Sequence, residues 1–364
     1  GEIREIDLTY VDQDTAEVTW SGDWQNNRQK VEVSVLKKEK DSDRVLEGAV
    51  FALSAKEDIT NKDGDVVLEA GTVIEEKATG EDGKLTFEAD LPIGFSYVVK
   101  ETSPAPGFAT TDEVQEFTFT AESSDKATVS YEFIFEDEPT VFEFTKTSLT
   151  DGKEVEGAKL TVTDENGEVV DEWVSGKEPH IIKELVVGQT YTMTEVLPAP
   201  GYVTAESIQF TVEDTAEVQK IEMKDDVTKV EISKTDIAGK ELPGAKLTIL
   251  DENGEVVESW TSTEEPHYIE MLPIGRYILH EESAPEGYLV AEDIEFEVKD
   301  TGEIQKVVMK DEAAPEETPE EPQNPVGTDA PKTGDDTNLL FWTALLGIGL
   351  CGTGAAFVMR RKRR

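Results

Sequence analysis

Three glutamates, Glu101, Glu195 and Glu281, each follow a tyrosine by four positions (Tyr97, Tyr191 and Tyr277), with Val99, Met193 and Leu279 midway between. Side chains on a β-strand alternate between its two faces, so tyrosine, apolar residue and glutamate share a face. Its composition makes that face a core face, where a carboxylate is costly unless a partner meets it. Two further residue types extend apolar faces in the same manner. Lys37 continues Val33 and Val35, Lys146 continues Phe142 and Phe144, and Lys234 continues Val230 and Ile232. Parity selects Lys37 over its neighbour Lys38. Asp137 continues Phe133 and Phe135, Asp225 continues Ile221 and Met223, and Asp311 continues Val307 and Met309, with parity selecting Asp225 over Asp226.

A lysine, a glutamate and an aspartate in a dry interior can react. Burial disfavours charge, lowering an amine pKa and raising those of carboxyls, so neutral amine and protonated acid become accessible together. The amine is then a nucleophile and the aspartic carboxyl an acceptable electrophile. A glutamate hydrogen-bonded to that aspartate can shuttle protons while water leaves. Fixed geometry supplies the effective molarity that free amide condensation lacks. The product is a Lys–Asp isopeptide bond that removes two buried charges. The plainer alternative is a set of unreacted buried ion pairs.

The elements that position these residues recur. Phe142 to Lys146 matches Val230 to Lys234, Gly157-Ala-Lys-Leu-Thr161 matches Gly244-Ala-Lys-Leu-Thr248, and Asp164-Glu-Asn-Gly167 matches Asp251-Glu-Asn-Gly254. Runs of alternating Val, Ile, Thr and aromatic residues are broken by Gly, Pro and Asn, with Asn166-Gly167 and Asn253-Gly254 as hairpin signals and no helical period. The expected fold class is all-β: three tandem sandwiches of about seven strands each with Ig-like architecture, at 31–139, 140–227 and 228–312. Each would open on its lysine strand and close on its aspartate strand. The first unit is longer, and residues 57–79 read as an inserted hairpin or loop. Residues 1–30 read as the end of a truncated preceding domain, in which Asn26 resembles an acceptor. With Gly1 in place of a methionine and no signal peptide, the chain reads as a fragment or processed form.

Among 364 residues, 34 Lys+Arg stand against 80 Asp+Glu, a net charge of −46 spread along the chain. That argues against a nucleic-acid partner, which needs a basic stripe, and fits a solvated extracellular surface. The single cysteine, Cys351, cannot form an internal disulfide. Residues 313–329 are rich in Pro and Glu and suit a disordered, wall-spanning linker. Residues 339–359 carry no charge and are long enough to cross a bilayer as one transmembrane helix, and the basic tail 360–364 fixes the inside end. Just before them stand Ala330, Pro331, Lys332, Thr333 and Gly334. This order of motif, apolar span and basic tail resembles a Gram-positive sortase sorting signal, although Ala330 replaces the usual leucine of Leu-Pro-any-Thr-Gly. The resemblance implies sortase as a partner, cleavage between Thr333 and Gly334, and covalent attachment of Thr333 to peptidoglycan. The membrane would hold the chain only before sorting.

The spacing of tyrosine, glutamate, proline and Gly-aromatic, as in Tyr277, Glu281, Pro285, Gly287 and Tyr288, resembles the E-box of collagen-adhesin B-type (prealbumin-like) domains found in SpaA-type pilins. The resemblance covers Val31 to Glu312. It implies autocatalytic isopeptide bonds with Lys as nucleophile, Glu as catalyst and Asp as acceptor, in the sets Lys37/Glu101/Asp137, Lys146/Glu195/Asp225 and Lys234/Glu281/Asp311. The implied function is a cell-surface stalk of an adhesin or minor pilin, a non-enzyme needing no cofactor or metal. The alternative is that the sandwiches themselves bind a host extracellular matrix protein or glycan, for which the acidic insertion offers little apolar surface. No Tyr-Pro-Lys-type linkage motif indicates polymerisation through an internal lysine. His180, His267 and His280 are too few for a metal cluster, Trp173 and Trp260 read as packing residues, and Asp63-Gly64-Asp65 and Asp82-Gly83 read as turns.

Overall fold

The structure, a computed structural model, describes residues 29–123 and 126–315. Every helix-or-strand element among them is a strand, as the alternation of β-branched and aromatic residues with polar ones requires. The first repeat holds β1 (Lys30–Glu39), β2 (Val50–Ala55), β3 (Ile59–Thr60), β4 (Val66–Leu68) and β5 (Val73–Ala78). It continues through β6 (Lys84–Phe87), β7 (Ser96–Ser103), β8 (Val114–Thr118) and β9 (Thr128–Asp137). The second holds β10 (Val141–Ser148), β11 (Lys159–Thr163), β12 (Val169–Val174), β13 (His180–Lys183), β14 (Thr190–Leu197), β15 (Ile208–Thr211) and β16 (Val218–Asp225). The third holds β17 (Lys229–Asp236), β18 (Lys246–Leu250), β19 (Val256–Thr261), β20 (His267–Glu270), β21 (Gly275–Ser283), β22 (Ile294–Val298) and β23 (Ile304–Asp311).

Each repeat is a two-sheet sandwich with its own core. A three-stranded sheet runs β6-β1-β9 in the first repeat, β13-β10-β16 in the second and β20-β17-β23 in the third. The facing four-stranded sheet runs β5-β2-β7-β8, β12-β11-β14-β15 and β19-β18-β21-β22. Phe51, Tyr97, Phe119 and Phe135 fill the first core, Phe142, Phe144 and Met193 the second, and Ile232, Leu279 and Met309 the third. In every repeat the first and last strands lie side by side and parallel: β1 with β9, β10 with β16, β17 with β23. Parallel neighbours cannot be joined by a tight turn, so the whole repeat is the crossover between them.

The extra length of the first repeat is the hairpin β3–β4. The expected insertion 57–79 reaches too far, because β5 belongs to the common scaffold. It occupies the edge position that β12 and β19 fill in the other repeats. The hairpin also exposes Val66 and Val67, so its tip is less polar than its acidic composition implies. Asn166-Gly167 does sit in the turn between β11 and β12, but in a five-residue loop. Asp164 Oδ1 organises it by accepting the N–H groups of Asn166 (2.9 Å) and Glu168 (2.8 Å).

Successive repeats meet at a recurring joint. Thr140 donates its N–H to Gly107 O (3.0 Å) and its Oγ1–H to Leu185 O (2.6 Å). Thr228 does the same to Gly201 O (3.0 Å) and Leu272 O (2.6 Å). Gly107 and Gly201 adopt φ of 89° and 86°, and both face backbone of the following repeat. A Cβ on Gly201 would come within 2.5 Å of Met271 O, whereas one on Gly287, at φ 86°, would meet nothing within 4 Å. Gly201→Ala therefore combines left-handed strain, about 1 kcal/mol or more, with a backbone clash of about 1–3 kcal/mol, while Gly287→Ala carries the first alone. Thermal unfolding and limited proteolysis at 226–228 should show the joint loosened by Gly201→Ala only; equal effects of the two variants would contradict the close approach.

Candidate functional site

Each lysine lies on the first strand of its repeat and each aspartate ends the last, 100, 79 and 77 positions further on. Because these strands are parallel neighbours, residues remote in sequence become adjacent. Lys37 stands opposite Phe135 and Glu39 opposite Asp137, so the aspartate lies two residues beyond the lysine's direct partner, on the same face. The register is the same in β10–β16 and β17–β23. The glutamates come from the other sheet, on β7, β14 and β21, and reach across the core. Each pairs beside a shift in register: Phe51↔Glu101 next to Val50, Leu160↔Glu195 next to Lys159, Leu247↔Glu281 next to Lys246. Such bulges turn a side chain to a new aim.

All nine side chains are buried, none more than 4% exposed. Lys37, Lys146 and Lys234 each donate a hydrogen bond from Nζ to Oδ1 of Asp137, Asp225 and Asp311. Their Nζ atoms also lie 2.9, 3.0 and 2.9 Å from Oε1 of Glu101, Glu195 and Glu281. That is ion-pair distance, at an angle that makes no hydrogen bond, and Oε1 of each glutamate and Oδ2 of each aspartate have no hydrogen-bond partner. The second glutamate oxygen is tied down. Oε2 accepts the backbone N–H of Thr111 (2.9 Å), Ala205 (2.6 Å) and Ala291 (2.7 Å) in the three repeats. Around the first cluster the rings of Phe51 and Phe135 lie 5.5 and 6.0 Å from Nζ, an apolar wall that excludes water.

Two carboxyls facing one ammonium in such a site cannot all be comfortably charged. Burial pushes Asp137 up to about 7, opposed by its hydrogen bond to Lys37 and assisted by the charge of Glu101. Burial likewise takes Asp225 to about 6 against the pull of Lys146, with Glu195 adding to the rise, and Asp311 is raised for the same reasons. A protonated aspartic carboxyl is thus accessible near neutral pH beside an amine. A proton placed on the aspartate between its Oδ2 and the glutamate Oε1 would satisfy both unpaired oxygens. This arrangement can move a proton and form an amide.

Burial follows strand parity at the two ambiguous pairs. Lys37 is wholly buried whereas Lys38 is half-buried and pairs with Asp43 at 3.5 Å. Asp225 is buried whereas Asp226 pairs outside with Lys229 at 2.8 Å. Trp173 and Trp260 pack at the core margin, each stacked on a histidine, His180 or His267, at 4.3 Å. Two features had no clear sequence signal: the bulge at each glutamate and the N–H groups that hold Oε2. Asn26, the linker beyond residue 315, and Ala330, Pro331, Lys332, Thr333 and Gly334 with the apolar span lie outside the described residues, while Ala313 and Ala314, expected in the linker, still pair with Tyr288 and Gly287 of the third repeat.

A sandwich pairing its first and last strands in parallel around a buried Lys–Glu–Asp set, three times over, defines a class of repeat domain. The family model described as SpaA, prealbumin-like fold domain, matches residues 31–132, 140–227 and 228–313, and the chain belongs to this family. Among solved structures, the chain is similar to the TIE protein of Bacillus anthracis, with 26% identity and a TM-score of 0.40. That match covers 78% of this chain and 51% of the other, so the chain spans about half of that protein's length. It is also similar to BcpA, the major pilin subunit of Bacillus cereus (15% identity, 79% of this chain and 100% of the other, TM-score 0.34). The full-length major pilin SpaD of Corynebacterium diphtheriae is a third (15% identity, 79% and 98%, TM-score 0.38). No curated protein matches the chain.

Lys146→Met isolates the two carboxyls of the second repeat and makes a pH test of the site. The folded pKa of Asp225 lies above its ordinary 3.8, so the native state holds a proton that the unfolded state releases first. Stability from this group is then complete below about pH 4 and is lost as pH rises from there to the folded value, which removal of the lysine's downward pull moves higher still, at up to about 1.4 kcal/mol per pH unit. Urea unfolding of the variant from pH 4 to 8 should show this decline; a stability that rises over that range would contradict the assignment.

Proposed function

We propose that the three repeats form the stalk of a cell-wall-anchored surface adhesin or minor pilin subunit, made rigid by a Lys–Asp isopeptide bond in each repeat. The observation that carries the reading is the buried cluster itself, found three times with one geometry and joining first strand to last. The step balances simply. The neutral lysine Nζ attacks Cγ of the protonated aspartate, the C–N bond forms, the C–OH bond breaks and one water leaves. Glu101, Glu195 or Glu281 takes the proton from the attacking amine through its unpaired Oε1 and returns it to the departing hydroxyl. The reaction removes an ammonium and a carboxylate from the apolar interior, which favours the product. It turns over once in each repeat, which makes the protein its own substrate and not an enzyme.

The mechanical consequence follows from topology. Tension enters each repeat near its first strand and leaves near its last. A covalent link between adjacent parallel strands would bypass nearly every residue of the sandwich, so pulling would not unzip the sheets. Ala330, Pro331, Lys332, Thr333 and Gly334, followed by the apolar span and basic tail, support attachment of Thr333 to peptidoglycan by sortase. Membership of the SpaA prealbumin-like family supports the same surface setting. In this reading the acidic linker crosses the wall, and no nucleic acid is a partner.

The mass of soluble residues 29–315 should fall short of the formula by three waters, about 54 Da. Glu101→Ala, Glu195→Ala and Glu281→Ala should each restore one water, and peptide mapping should find Lys37, Lys146 and Lys234 joined to Asp137, Asp225 and Asp311. A full formula mass with free ε-amino groups sinks the stalk mechanism. In a Gram-positive host, Thr333→Ala should move the full chain from the wall fraction to the membrane and medium, and unchanged wall attachment would refute the anchoring assignment.

A further inference from the structure

The loop that holds each glutamate is the loop that meets the next repeat. In the first repeat Thr111 N–H holds Glu101 Oε2, and the preceding residue, Thr110, is bound from outside. Its N–H donates to Asp214 Oδ1 (2.8 Å) and its Oγ1–H to Asp214 Oδ2 (2.7 Å), and Asp214 belongs to the second repeat. In the second repeat Ala205 N–H holds Glu195 Oε2, and the preceding residue, Thr204, donates its N–H to Asp300 Oδ1 (2.9 Å) of the third. Asp214 and Asp300 occupy equivalent places, in the turns between β15 and β16 and between β22 and β23. A cleft of about 370 Å³ at the first joint is lined by Thr110, Thr111 and Asp137 on one side and Ala216 on the other. The clamped loop therefore lies beside the end of the aspartate strand.

We propose that Asp214 and Asp300 are positioning residues for bond formation in the repeat that precedes each of them. By fixing Thr110 or Thr204, the aspartate fixes the N–H one residue on, which sets the carboxylate of Glu101 or Glu195 with Oε1 turned to the lysine. Closure of a repeat is then coupled to the folding of its C-terminal neighbour. In the third repeat Val290 stands at the corresponding place, and the described residues hold no aspartate clamped on it. The inference rests on the isopeptide reading and goes beyond it, because it makes the rate in one sandwich depend on a side chain in another.

The test is time-resolved. Full chain made by cell-free synthesis is quenched in acidic denaturant at intervals, and the three cross-linked peptides are quantified by mass spectrometry. Asp214→Ala should slow the Lys37–Asp137 bond about fivefold and leave Lys146–Asp225 and Lys234–Asp311 at wild-type rates, since solvent-exposed hydrogen bonds to a charged group contribute on that order. Asp300→Ala should slow Lys146–Asp225 alone. Asp214→Asn keeps an acceptor for Thr110 N–H and should restore most of the rate. An aspartate that merely stabilised its own repeat would slow the bond in that repeat, and this outcome overturns the proposal, as do unchanged rates in both alanine variants. Absence of all three bonds from the wild-type chain would instead overturn the isopeptide reading, so the two failures are distinguishable.

Discussion

A lysine ammonium placed between two carboxyls and shut away from solvent is the interaction on which the rest of this structure depends. Removing such charges from water is expensive, and attraction between them offsets the penalty only when geometry is tight and the remaining polar atoms are satisfied. Here one oxygen of each glutamate and one of each aspartate are left without a hydrogen bond. An arrangement so incompletely satisfied is a poor way to stabilise a fold and a good way to prepare a reaction. Raised aspartic pKa values, caused chiefly by burial, express the same imbalance. The apolar wall of Phe51 and Phe135 keeps water from relieving it.

The demand for that geometry explains the topology around it. Lysine and aspartate must arrive from strands that are neighbours with a two-residue offset, and the glutamate must arrive from the opposite sheet. A parallel pairing of the first and last strands meets the first requirement and a bulge at the glutamate meets the second. The loop after the glutamate strand serves two masters. Its backbone holds the carboxylate, and its glycine comes so close to the following repeat that no side chain fits at Gly107 or Gly201. Chemistry and the joint between repeats are thereby built from the same loop.

Surface composition acts on a different level. The net charge of −46 belongs to the chain as a whole, whereas each buried cluster sets one lysine against two carboxyls and keeps its own local balance. Exposed ion pairs such as Lys220–Glu143 and Lys306–Glu231 recur at equivalent places in the second and third repeats, yet pairs in water contribute little to stability. Their value is solubility. What makes each sandwich stand is its core, and what would make it resist force is the link between its terminal strands.

Much of this was legible in the chain because a strand reports its faces with period two. Val33, Val35 and Lys37, or Ile221, Met223 and Asp225, show by alternation alone that a charge sits where a core residue belongs, and repetition identifies all nine members. Alternation also determined the all-β class and the number of sandwiches. It could not reveal that strands up to 100 positions apart lie parallel and adjacent, because pairing is a matter of which edges meet and not of local pattern. Nor could it reveal the bulges, the N–H groups of Thr111, Ala205 and Ala291, or the reach of Asp214 and Asp300 into the preceding repeat. Backbone groups have no side-chain signature, and an aspartate in a turn looks like any other until the fold brings its partner within 3 Å. The sequence determined which residues are buried together with their charge; only the tertiary structure decided which atoms face each other.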